Sequence, residues 1–159
     1  MIKGLASMAL AAAVAGPAAA QAPGGALTVG DAVMRAVPAG MANTAAYLTI
    51  VNGGSKPDRL LTASCDCARS VEVHVSHVMN GMAMMMPSGP VAIPAGGKVS
   101  FSPGARHLMV TGLKAPLRDG AVQQMTLTFQ NAGAVKVSFA VKARIESSPA
   151  PAMSMPMSR

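Results

Sequence analysis

Between residues 26 and 142 apolar and polar positions alternate with the two-residue period of β-strands, and no stretch carries the stripe of an amphipathic helix. Residues 70–78 (SVEVHVSHV) are the clearest case. Val71, Val73 and Val75 fall on one face and Glu72, His74 and Ser76 on the other. Residues 45–51 are β-rich and stop at Asn52-Gly53-Gly54, and residues 59–63 form a short apolar run. Pro94-Ala95-Gly96-Gly97 leads as a turn into 98–102. The segments 106–113, 124–130 and 135–143 alternate again, the last two joined by Asn131-Ala132-Gly133. Asn80-Gly81 is the strongest two-residue hairpin signal in the chain. Short strands joined by Gly- and Pro-rich turns predict an all-β fold, an antiparallel β-sandwich.

The two ends read differently. Lys3, the apolar run 5–16, Pro17 and the small residues Ala18-Ala19-Ala20 have the layout of a secretory signal peptide cleaved after Ala20. The run is too short for a membrane span, which takes roughly 20 apolar residues. The expectation is export to a periplasm, without stable membrane insertion. Residues 147–159 are Ser, Pro, Ala and Met, a composition that cannot bury a face and predicts a disordered, Met-rich tail. The folded domain is expected over 21–146.

Composition narrows the possibilities. The chain has 159 residues, enough for one domain, and is 51% apolar but only 3% aromatic. With Trp 0, Tyr 1 and Phe 3, the core is expected to use Val, Leu, Ile, Ala and Met. The same shortage argues against a nucleic-acid reader that stacks bases, despite the net charge of +7. The 14 methionines are the feature that needs explaining.

Five of them lie within residues 79–86, directly after a strand holding His74 and His77, and another sits in Arg106-His107-Leu108-Met109. His107 and Met109, two apart on a strand, share a face. If Asn80-Gly81 closes a two-residue loop, residue 79 pairs with 82, 76 with 85 and 74 with 87. Met85 then becomes the same-face diagonal neighbour of His74. Two imidazoles and two thioethers make a soft, uncharged donor set suited to Cu(I), whereas zinc asks for more His, Cys or carboxylate. Methionine is also a common core filler. The run Met82-Ala83-Met84-Met85-Met86, however, occupies both faces of its strand, and both cannot be core.

His74, ten residues, Met85, twenty-one residues, His107, one residue, Met109 resembles the H-x10-M-x21-H-x-M signature of the periplasmic CuA copper chaperone family (PCuAC). Similar stretches include AAYLTIVN at 45–52, PDRLL at 57–61, VEVH at 71–74, IPAGG at 93–97 and GLKAPL at 112–117, so the resemblance runs from about 31 to 141. It implies a cupredoxin-like β-sandwich binding one Cu(I) at an exposed site, with His74, Met85, His107 and Met109 as ligands. The function it implies is a non-enzymatic metallochaperone serving the CuA centre of cytochrome c oxidase or a related respiratory oxidase. The partner would be the apo-CuA subunit or another copper chaperone. His77 and the extra methionines of 79–86 depart from the family pattern as surplus donors.

The tail motif Met153-Ser154-Met155-Pro156-Met157 repeats the thioether theme, as a copper-capture segment or an inert end. Cys65-Asp66-Cys67 is open to two readings. It is a disulfide or thiol pair without a role, or a second Cu(I) site or redox couple. A blue-copper carrier would need a Cys thiolate beside His107, and there is none in the sequence there. GxSxG, P-loop and CxxC motifs are lacking, and six acidic residues leave little for acid–base catalysis. The competing functions are copper sequestration without a dedicated acceptor, and thiol–disulfide assistance through Cys65 and Cys67.

Overall fold

The computed structural model describes residues 26–145 and the backbone of Ala20–Gln21, where β1 lies. Among the described residues there are eleven strands and no helix. The expected signal peptide 1–20, apart from Ala20, and the expected tail 147–159 lie outside them.

Strand β2 (Leu27–Arg35) pairs antiparallel with β3 (Asn43–Asn52) and, through Val33, Met34 and Arg35, parallel with the last strand, β11 (Gly133–Lys142). From β11 the order runs through β10 (Val122–Phe129), β4 (Asp58–Ser64), β5 (Ser70–Met79) and β9 (Arg106–Thr111) back to β3. The ring therefore closes. Short strands hang from it: β6 (Met82–Pro87) on β5, β7 (Val91–Ile93) on β4, β8 (Lys98–Phe101) on β3 and β1 on β2. Strands β4 and β5 meet at the single pair Ala63–Val71. All pairings are antiparallel except β11–β2, so the expected sandwich carries one parallel contact.

Strands β1, β2 and β7 carry too weak a signal to be predicted individually. In β2, Asp31 takes φ 51°, the register against β3 shifts between Gly30 and Val33, and the strand continues through the bulge. Strand β7 has only three residues.

The inner faces supply the core: Leu27, Val29 and Met34 of β2, Leu48 and Ile50 of β3, Met125, Leu127 and Phe129 of β10, and Val135, Val137, Phe139 and Val141 of β11 are all buried. Each such side chain contributes about 1.5–3 kcal/mol relative to remaining exposed. All three phenylalanines are in the core, but only Met34 and Met125 among the described methionines are. Core filling thus explains few of the methionines.

The register of β5 against β9 is anchored at its lower end. Arg69 N–H donates to the carbonyls of Thr111 and Gly112, 3.0 Å from each. Gly112 has φ 73°, and a Cβ there would lie 2.7 Å from Arg69 Cβ. Gly120 has φ 82° with open space around it. Gly112→Ala is therefore expected to lose about 2 kcal/mol or more in urea unfolding, and Gly120→Ala about 1 kcal/mol, the difference isolating the clash.

Candidate metal centre

Strand β5 lies between β9 and β6. On one side Glu72 opposes Met109 and His74 opposes His107. On the other, His74 opposes Pro87, Ser76 opposes Met85 and Met79 opposes Met82. The hairpin register inferred from Asn80-Gly81 is the one observed, with both turn residues left-handed at φ 53° and 78° as a type I′ turn demands. Directly opposed residues share a face. Glu72, His74, His107, Met109 and Met85 consequently occupy one face, turned away from the core residues Val71, Val73, Leu108 and Val110.

The four residues singled out from the sequence thus fall on contiguous positions of three strands. His74 and His107 form a cross-strand pair with ring centroids 6.0 Å apart and planes tilted by 46°. Met109 is the next same-face residue on β9. Met85 approaches from the opposite side of β5 as the diagonal neighbour of His74, at a Cα separation of about 7–8 Å typical of such pairs.

Burial is graded across the group. His107 is 4% exposed and the His74 side chain 15%, while Met85 is 60% exposed. The expectation of an exposed site therefore holds at the Met85 end, and the imidazoles are sheltered.

The ring nitrogens are unequally engaged. His107 Nδ1 lies 3.3 Å from the carbonyl of Ala105; an N–H donated there leaves Nε2 with its lone pair. His74 Nε2 lies 3.2 Å from Glu72 Oε2, which leaves Nδ1 as the lone-pair nitrogen. That Nδ1 is enclosed by protein without a hydrogen-bond partner. A buried unpartnered nitrogen ordinarily costs about 1–3 kcal/mol. This one belongs to the face that also carries His107, Met109 and Met85. Arg106, the residue before His107, points to the other face, its guanidinium 5.9 Å from the Phe101 ring, so its charge is kept off the donor face.

Glu72 and the Ala105 carbonyl are the positioning groups that the sequence reading did not single out. Glu72 had a signal, two residues before His74 on its face; a backbone carbonyl has none. Among the described residues no three His, Cys, Asp or Glu side chains come together as a metal cluster. The donor set is legible only when thioethers are counted.

Cys65 and Cys67 are joined as a disulfide in the β4–β5 turn, at the opposite end of β5 from the methionine hairpin. The Cys67 carbonyl accepts from Lys114 N–H. They lie apart from the donor face.

A β-sandwich carrying an imidazole pair with flanking thioethers defines a class of soft-metal-binding domains. Residues 27–141 match the family described as "Putative lipoprotein LpqE-like". "Putative lipoprotein Lxx21020" of Leifsonia xyli subsp. xyli is 35% identical over 130 residues, covering 79% of this chain and 77% of that protein. Among solved structures, CuI-DR1885 from Deinococcus radiodurans is 33% identical with a TM-score of 0.60, covering 74% of this chain and 78% of that one. The copper-bound PCuAC domain from PmoF2 is 26% identical with a TM-score of 0.65, covering 76% and 95%. The chain belongs to the LpqE-like family, the family of the PCuAC copper chaperones, and has its cupredoxin-like sandwich.

The hydrogen bond to Ala105 makes a spectroscopic prediction. Long-range 1H–15N correlation of the metal-free protein at a pH where the ring is neutral is expected to find His107 protonated on Nδ1. The Nε2–H tautomer would remove the geometry argued for that ring.

Proposed function

We propose that the chain is an exported, non-enzymatic metallochaperone whose domain, residues 21–146, binds Cu(I) through His74, Met85, His107 and Met109. It delivers the ion in the periplasm to the CuA centre of cytochrome c oxidase or a related respiratory oxidase. The observation that carries the reading is the pairing of His74 with His107, with Met109 and Met85 on the same face. The copper-bound PCuAC domain of PmoF2 and the CuI form of DR1885 support copper as the cargo.

The chemistry suits a carrier. Neutral donors leave the ion its +1 charge, and thioethers favour Cu(I) without the commitment of a thiolate. The burial gradient gives the exchange an order. An incoming ligand from the apo-CuA subunit, or from another copper chaperone, meets Met85 first because it stands most open to solvent. The two sheltered imidazoles hold the ion until the acceptor has made its first bonds. Sequestration without an acceptor is the second reading, favoured by the surplus exposed methionines of β6.

Anaerobic competition against a chromogenic Cu(I) chelator is expected to find one tight equivalent, weakened about 100-fold or more (about 2.7 kcal/mol) in Met85→Leu/Met109→Leu. Retention of that equivalent would refute the ligand assignment. Transfer to an apo-CuA domain faster than free dissociation supports delivery; release at the dissociation rate supports sequestration. Replacing both Cys65 and Cys67 by Ser is expected to leave the tight equivalent intact.

A further inference from the structure

Six of the ten exposed large apolar side chains in the described residues fall between Val78 and Met86. The site around His74 uses one of them, Met85. The rest need another explanation, since contiguous exposed apolar surface in a small domain marks a binding site.

Strand β5 leaves β9 after the pair Val75–Arg106 and a last hydrogen bond from Ser76 N–H to the Ala105 carbonyl, and residues 77–79 pair only with β6. Beyond that point the hairpin is, among the described residues, a two-stranded ribbon with no third strand beside it, and all six residues of β6 are exposed. Its faces differ in chemistry. One carries Ser76, Val78, Ala83 and Met85. On the other, His77 directly opposes Met84 and Met79 directly opposes Met82. Opposed Cβ atoms lie about 4.5–5.5 Å apart, and successive same-face positions along a strand about 7 Å apart. One imidazole and three thioethers therefore form a two-by-two block at the ribbon tip, all four exposed. The thioether side chain is long, unbranched and flexible, so convergence on one ion needs rotamer changes and no backbone movement.

We propose that this reverse face is a second Cu(I) site, with His77, Met79, Met82 and Met84 as its donors. The set is soft and uncharged, as Cu(I) prefers, and lacks the carboxylates and additional imidazoles that Zn(II) or Cu(II) would recruit. It shares no donor with the His74 site and does not depend on that assignment. Met84 and Met85 are adjacent in sequence and point to opposite faces. An ion held at the tip can pass by ligand exchange from one thioether to the next around the ribbon edge, which makes the tip an entry station for the inner site.

The test is an anaerobic Cu(I) titration of the full chain labelled with 13C at the methionine methyls, repeated with Ag(I) as a redox-inert analogue. The first equivalent is expected to shift Met85 and Met109, and the second to shift Met79, Met82, Met84 and the His77 ring. His77→Ala/Met84→Leu, which alters exposed side chains alone, is expected to weaken the second equivalent about tenfold or more while the first is retained. In Met85→Leu/Met109→Leu the tip resonances are expected still to respond. The proposal is overturned if the second equivalent moves only Met153, Met155 and Met157, if none binds, or if the tip methyls move together with Met85 in a single step. A tip response that survives while Met85 and Met109 stay silent would refute the His74 assignment and leave this one standing.

Discussion

The register of β5 between its two neighbours is the constraint on which the site depends. Side chains in a strand alternate, so a slip of one residue against β9 would send His107 into the core and bring Leu108 beside His74. The register is held at one end by the bifurcated hydrogen bond from Arg69, made possible by the missing Cβ of Gly112. At the other end the Asn80-Gly81 turn sets β6. Between these anchors, Val71, Val73, Leu108 and Val110 are buried on the inner face, and any slip would expose them. The donor face is thus specified by what lies behind it.

Around that frame the molecule separates rigidity from access. The imidazoles sit on central strands of the closed ring, one oriented by a backbone carbonyl and the other by a carboxylate. The thioether of Met85 sits on a strand with a single neighbour. Met109 shares the central strand β9 with His107, so on the proposed ligand assignment Met85 alone would be the donor on a strand free to yield.

Much of this was legible in the residues. The alternation in SVEVHVSHV and the Asn80-Gly81 turn together were enough to bring Met85 diagonal to His74, because hairpin pairing follows by counting once the loop length is known. What escaped depends on information that side-chain patterning does not carry. The alternation of β2 is interrupted by the bulge at Asp31, and the pairing of both halves with β3 makes it one strand. The parallel contact between β11 and β2 joins elements about a hundred residues apart with no local signature. Aliphatic residues with Met34 and Met125 make up most of the core, as composition led one to expect. Phe101, Phe129 and Phe139 are all buried, whereas the methionines of β6 were displaced outward because the ribbon outruns the sheet beneath it.

The same outward placement has a chemical consequence. Thioethers open to solvent are the ones that peroxides reach, and a sulfoxide is a polar, hard ligand with little affinity for a soft ion. Met34 and Met125, sealed in the core, are protected, while Met85 and the rest of β6 are open. On the proposed ligand assignment, oxidant exposure would silence metal handling before it harmed the fold, and a methionine sulfoxide reductase could restore it without refolding the chain.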